Sequence, residues 1–348
     1  MRFEPSFLAE LRKDIESVSC EFNNRAVRPG GLDPLQLLSL VTNTQDVIVP
    51  FVDQPRDHDV VDYNNLQLYD HDTGLAAMKR GEVAYVVLAG GDNSMALQRL
   101  PELGMTLMAH KLAMSQGLPT YVMVSPNNYD ASIKHLNEIF SQAHGCVFTE
   151  FEGYRLRPNN VIDFKSPGEP YMHSVGHGCV GDVLKHSTML HDMPKVKYFI
   201  IVNVNNILAA PDPYVLGCHI NRGMPVTVEV IDKKKTHQGG CLVWNNGRLE
   251  ILEEFQVSSD FAAASPFLNT NTMIIDRFVL EGPHDVQWHH RRKVIDNRVS
   301  VQYERFLSRY TRDMTLNAIK VPEEFRYFPV KTPEDLLLAD KRLNGNRR

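Results

Sequence analysis

Cysteine is scarce in this 348-residue chain. There are five, Cys20, Cys146, Cys179, Cys218 and Cys241, and no C-x-x-C pair. An odd number at wide spacing excludes a disulfide framework and points to a reducing compartment. No apolar run reaches the ~18 residues that a membrane helix needs, and Met1 to Pro5 carry no apolar signal core. There is no internal repeat, no low-complexity tract and no long linker. Strong charge of one sign is also missing. The net charge is −5 and the pI about 6.3, which argues against a nucleic-acid scaffold or a membrane-surface protein. The basic runs Lys233 to Lys235 and Arg291 to Lys293 read as solvated surface. These absences leave a soluble cytoplasmic protein without a nucleic-acid or membrane partner. With 43% hydrophobic and 23% charged residues, the chain has enough apolar material for one large or two ordinary domains.

What is present centres on Gly81 to Gly91. Val83 to Leu88 is an unbroken, largely β-branched apolar run, as expected of a strand buried on both faces of a parallel sheet. It ends in Ala89-Gly90-Gly91. Glycines there either form a tight turn or let backbone N–H groups approach a nucleotide or phosphate.

Around this strand the chain alternates. Residues 5–24 and 33–41 have helical spacing, and 44–70 reads as a surface connector. Helices are predicted near 73–80, 106–116, 130–143, 180–189 and 214–221. Strands are predicted at 120–124, 145–148, 197–202, 226–230, 240–244, 249–257 and 267–275, with Asn245 to Gly247 as a hairpin turn. The segment 151–175 reads as loop. The remaining stretches, 288–305 and 325–338, complete the chain. The pattern predicts an α/β fold whose sheet is mixed, mostly parallel and Rossmann-like, flanked by helices. Ligands of such sheets bind outside the carboxyl ends of the strands. The division expected is a helical N-terminal appendage over 1–60, one mixed α/β domain over 61–340 and a basic tail over 341–348.

Three further sites stand out. Gly176-His177-Gly178 either presents a ring to a ligand or forms a plain turn. Asn269-Thr270-Asn271 offers two amides, each both donor and acceptor, suited to a polyol or to Asx turns. Lys331 lies between an apolar strand and a helix start, at a phosphate or on plain surface. His173, His177, Cys179, His186 and His191 match no compact zinc pattern. Cys179 beside His177 raises a cysteine-based transferase as a minor reading.

In this order the motifs resemble the UTP–glucose-1-phosphate uridylyltransferase family and its relatives acting on other sugar phosphates. The matching stretches are Leu88-Ala-Gly-Gly91, Gly176-His-Gly-Cys179, Asn203-Val-Asn-Asn206, Gln238-Gly-Gly-Cys-Leu242, Ile251 to Val257, Asn269-Thr-Asn271 and Phe328 to Leu338. They span about Asp62 to Leu338. The resemblance implies that Leu88, Ala89, Gly90 and Gly91 cradle the nucleotide, with Gly176 and His177 lining the same site. Glu253, Asn269 and Asn271 would hold sugar hydroxyls, with Asn205 on the sugar-phosphate side. Lys331 would meet the phosphates of both substrates. The implied reaction is attack of a sugar-phosphate oxygen on the α-phosphorus of a nucleoside triphosphate, with Mg²⁺ and release of pyrophosphate. The C-terminal β-helix of many relatives is not expected, since ten residues follow Leu338.

The chain departs from the family at charged positions. The loop glycine is Asn93 and the loop lysine Glu102, leaving Arg99 as the cation expected to substitute. The acid near the magnesium is Asn205, the acid of Gly-His-Gly-Asp is Cys179, and the glutamine reading the base is Glu150. A carboxylate there suits a base edge with two adjacent donors at least as well as uracil. A second reading is therefore a catalytically silent relative that binds a nucleotide or nucleotide-sugar as sensor or partner subunit.

Overall fold

A strand covered on both faces must send alternate side chains into two cores, and Val83–Ala89 does so. Ala84, Val86 and Leu88 join one apolar cluster, and Val83, Tyr85, Val87 and Ala89 the other. The computed structural model describes residues 48–345, apart from 92–94, 140–146, 160, 188, 283–287, 296 and 313. The expected helices at 5–24 and 33–41 lie outside the described residues.

Ten strands form one sheet: β1 (Val61–Asp62), β2 (Val83–Ala89), β3 (Thr120–Val124), β4 (Val147–Thr149), β5 (Tyr198–Asn203), β6 (Val226–Asp232), β7 (Cys241–Asn245), β8 (Arg248–Leu252), β9 (Phe267–Asp276) and β10 (Leu316–Lys320). The spatial order is β1-β10-β6-β9-β5-β2-β3-β4. All neighbours on this path are parallel except β9, which runs against both β5 and β6. The β7–β8 hairpin joins β9 at Cys241↔Leu268. The sheet is thus mixed and mostly parallel, as the sequence predicts.

Six helices matter for the site: α1 (Leu68–Lys79), α2 (Leu107–Ala113), α3 (Tyr129–Ile139), α4 (Val180–His186), α5 (Pro213–Arg222) and α6 (Pro333–Gly345). Residues of α4 fill one core, and residues of α1, α2, α3, α5 and α6 fill the other, so both faces are covered. α5 starts where Asp212 accepts hydrogen bonds from the Tyr214 and Val215 N–H groups, with Pro213 at the first turn. It stops at Gly223, whose φ of 61° is left-handed.

The structure differs from the sequence reading in five places. Residues 48–56 of the expected helical appendage have no helix. They lie against β7, with Asp53 bridging Trp244 and the Val49 N–H donating to Gln256 O. The expected loop at 151–175 contains short strands, including Glu152–Tyr154 paired with Met172–Ser174. Residues 289–304 fold as a two-stranded hairpin, His289–Ile295 against Arg298–Glu304, with Asn297 left-handed at the turn (φ 59°). β10 was not expected at all. The 341–348 stretch begins inside α6. No helix among the described residues is long and apolar enough to cross a membrane.

Candidate nucleotide and sugar-phosphate site

The carboxyl ends of β2 to β6 and the amino end of the inverted β9 share one edge of the sheet. This edge gathers most of the residues singled out from the sequence. Leu88 and Ala89 are interior residues. Their carbonyls are used locally: Leu88 O accepts from Val204 N–H at 2.9 Å and Ala89 O from Asn128 Nδ2 at 3.0 Å. Gly90 and Gly91 are partly exposed, so the surface of this corner belongs to them. A Cβ on Gly90 would sit 2.2 Å from Glu150 Oε1, and the Gly91 N–H donates to that oxygen at 3.0 Å. Glu150, at the end of β4, is 3% exposed, so its carboxylate is built into the glycine corner.

Glu150 acts electrostatically on Cys179, the residue after Gly176-His177-Gly178. Its charge helps raise the Cys179 thiol, which burial pushes up to about 12. A thiol held there is no nucleophile at neutral pH, and the cysteine-based reading is set aside. The two glycines are explained by close packing. A Cβ on Gly176 would meet Arg305 O at 2.6 Å, and one on Gly178 would meet Phe306 O at 2.5 Å. The Gly178 N–H donates to Arg305 O, and the Leu307 N–H donates to His177 Nδ1 at 3.0 Å. Burial holds the His177 ring down at about 4. It is neutral near pH 7, with its proton on Nε2.

Segment 305–308 carries the contacts onward to the sugar residues. Ser308 Oγ donates to Glu253 Oε1 at 2.7 Å, and burial raises the Glu253 carboxyl. A Cβ on Gly240 would lie 3.6 Å from Glu253 Oε2, and Gly240 O accepts from Asn269 N–H at 2.9 Å. Asn269 Nδ2 donates to Asn271 Oδ1 at 3.0 Å, and the Asn271 N–H donates to Asn269 Oδ1 at 3.1 Å. Asn271 is left-handed (φ 58°) within β9, a strained placement that asparagine tolerates best among residues with a Cβ. Asn203 and Asn271 lie two residues past the last β5–β9 pair, Ile201↔Met273, and Asn203 pairs with Leu88. Contacts thus join Gly90 and Gly91 to Glu150, Gly178 to the 305–306 backbone, Ser308 to Glu253 and Gly240 to Asn269, while strand register sets Asn203 beside Leu88.

Lys331 joins through the loop after β5. The Val330 N–H donates to Asn205 O at 2.8 Å, the Phe328 N–H to Asn206 Oδ1 at 3.0 Å, and Asn206 Nδ2 to Arg326 O at 3.0 Å. Asn205 and Lys331 are therefore adjacent in space. Loop 207–211 is held from beneath. His110 Nε2 donates to Ile207 O, Lys111 Nζ and the Tyr85 hydroxyl to Ala209 O, Arg326 Nη2 to Ala210 O and Gln116 Nε2 to Pro211 O. Arg326 also forks onto the buried Glu229. Lys331 is exposed and has no ion-pair partner among the described residues.

Arg99 makes none of these contacts. It is exposed, with Nη1 3.5 Å from Gly104 O. The turn bearing Glu102 docks on α6, where the Glu102 and Leu103 N–H groups donate to Asp340. Asn93 lies outside the described residues. For a divalent cation the described residues supply little. No group of three or more His, Cys, Asp and Glu side chains converges among them. Asn205 Oδ1 is buried without a hydrogen-bond partner, which gives one neutral oxygen. A resident ion needs more than that.

Sequence reasoning missed Ser308 and the 305–307 backbone. Their only signal was an aromatic-rich run from Tyr303 to Tyr310 that matches no motif.

The structure is thus a mixed, mostly parallel α/β protein with glycines, amides and a lysine gathered at one edge of its sheet. The profile of the UTP–glucose-1-phosphate uridylyltransferase family matches residues 107–346, and the chain belongs to that family. It is 27% identical over 192 residues to a UTP–glucose-1-phosphate uridylyltransferase of Encephalitozoon cuniculi; the match takes in 51% of this chain and 39% of that protein's length. Among solved structures, UDP-glucose phosphorylase of Trypanosoma brucei superposes with a TM-score of 0.73 at 17% identity, covering 96% of this chain and 79% of that one. A variant of UDP-glucose pyrophosphorylase from Leishmania major, in complex with UDP-glucose, gives 0.71 at 16%, covering 94% and 78%.

Proposed function

We propose that this protein is a nucleotidyltransferase that joins a nucleoside monophosphate, from UTP in the first instance, to the phosphate of a sugar 1-phosphate and releases pyrophosphate. The observation that supports this is that the Gly90 corner, the amides of Asn269 and Asn271, and Lys331 beside Asn205 belong to one edge of the sheet. Family membership supports the same reading. The relative from Encephalitozoon cuniculi bears the name of that activity, and the Leishmania major neighbour binds UDP-glucose.

In this reading the Gly91 corner and Glu150 meet the base end. His177, neutral with Nε2–H, donates a hydrogen bond without adding charge. Asn269, Asn271 and Glu253 hold sugar hydroxyls. Transfer between phosphates needs little covalent help and much positive charge placed near the phosphate oxygens. The exposed ammonium of Lys331 supplies it. Mg²⁺ enters as part of the triphosphate substrate, since Asn205 offers one neutral oxygen. The compartment that fits these substrates and the reduced cysteines is the cytoplasm.

The test is direct. Protein incubated with Mg²⁺, UTP and glucose 1-phosphate is expected to release pyrophosphate, and Lys331→Met is expected to lower the rate by about a hundredfold or more, the scale of one transition-state charge contact. Absence of pyrophosphate with every nucleoside triphosphate and sugar phosphate tried would overturn the reading.

A further inference from the structure

The hairpin 289–304 turns one face toward the sugar residues, and that face has unused donors. Directly opposed residues of an antiparallel pair share a face. The register His289↔Glu304, Arg291↔Gln302, Lys293↔Ser300 therefore places these six side chains together. His289 fixes which way the face looks. Its ring packs 5.3 Å from Phe255 and 5.5 Å from Phe306. Phe306 in turn stands 5.8 Å from His177, and Phe255 is two residues past Glu253. The Arg291 guanidinium carbon lies over the Phe255 ring, 4.0 Å from its centre, and its charge acts on Glu253. Stacked in this way it is partly withdrawn from solvent, while Arg292 beside it is exposed.

Two polar side chains on this face are buried without a partner. Gln302 is 1% exposed and its Nε2 has no hydrogen bond; Ser300 is 3% exposed and its Oγ has none. Burying an unpaired amide donor costs about 1–3 kcal/mol, a cost that an acceptor on a ligand would offset. The acids on this face are accounted for. Glu304 is paired with Lys293, and Glu253 receives the Ser308 hydroxyl. Arg291 then remains as a planar cation without an ion pair among the described residues, next to a buried amide donor.

We propose that the acceptor carries a carboxylate on its sugar ring, that is, a uronic acid 1-phosphate, and that Arg291 with Gln302 receives that carboxylate. A planar guanidinium fork matches a carboxylate. This rests on the acceptor site proposed above and names its substrate class.

Binding separates this inference from the transfer reaction, because it needs no turnover. Titration calorimetry with glucuronic acid 1-phosphate and with glucose 1-phosphate is expected to favour the uronate by about tenfold or more, the scale of one charge-assisted hydrogen bond. The preference should collapse to about unity in Arg291→Met and reverse in Arg291→Glu, while Arg291→Lys retains part of it. Thermal melts of each variant establish that it is folded. Equal or weaker binding of the uronate by the native chain overturns the inference, and so does a preference that survives Arg291→Met. Pyrophosphate release from glucose 1-phosphate with no uronate preference overturns the inference and leaves the transferase reading standing. Preferential uronate binding with no pyrophosphate from either acceptor does the reverse. A preference for glucose 1,6-bisphosphate over the uronate also overturns it, because it assigns the pocket to a second phosphate.

Discussion

At the scale of single residues, two glycines of the site differ in what opposes them. A methyl at Gly90 meets the far end of the Glu150 side chain, 2.2 Å from Oε1. That carboxylate can move at the cost of its bond to the Gly91 N–H. A methyl at Gly178 meets backbone, 2.5 Å from Phe306 O and 2.6 Å from Phe306 N, which cannot yield without shifting 305–308. Gly90→Ala is therefore expected to lose about 1–3 kcal/mol in urea denaturation, and Gly178→Ala more than about 3. Adding Glu150→Ala is expected to recover part of the first loss, a coupling that a double-mutant cycle measures. His177 gives a pH prediction. Its ring is held at about 4, against 6.5 when unfolded. Between those values the unfolded chain binds a proton that the folded chain excludes, so stability falls as pH drops from 6.5 toward 4. The slope is at most about 1.4 kcal/mol per pH unit and should flatten in His177→Gln, read from unfolding curves at stepped pH.

At the scale of elements, the segment 203–212 is a loop with few chain-like bonds of its own, held in shape by side chains beneath it. Arg326 is the hub: it binds Ala210 O and forks onto Glu229, which is buried at 2% exposure. Removing one partner leaves an uncompensated buried charge. Arg326→Met is expected to cost about 3–5 kcal/mol, while replacing both partners, Glu229→Leu with Arg326→Met, should be near neutral. The single variant should regain stability as pH falls, because its stranded carboxylate has a raised pKa and takes up a proton; the double variant should not. The sequence made much of this level legible. β2, β3, β5 and β9 were readable because apolar runs between glycines and prolines have few alternatives. The hairpin 289–304 was not, because His289 to Lys293 reads as surface charge and its strand is in fact largely exposed from Arg292 to Val294. β10 was hidden by Asn317, a buried amide in mid-strand that donates to Thr227. The candidate sugar residues were visible as a motif. Ser308 and Gln302 were not, because burial and a missing partner are properties of three dimensions.

At the scale of the whole molecule, the two large apolar clusters lie on opposite faces of the sheet. Nucleotide binding should stabilise the fold by about 2.7 kcal/mol at a hundredfold excess over Kd. In hydrogen exchange it should slow the Gly91 and Leu307 amides, which donate to Glu150 and His177, while amides at the hairpin turn near Asn297 keep their rates. The inverted β9 has a separate consequence. It divides the sheet into a block built from residues 83–203 and a block built from residues 226–232 and 316–320 with Val61–Asp62 at its edge, so under the proposed function the nucleotide and the sugar would be held largely by separate lengths of polypeptide. Natural variation could then retailor the sugar grip by editing the β7–β8 hairpin or the 289–304 hairpin, leaving the nucleotide grip as inherited.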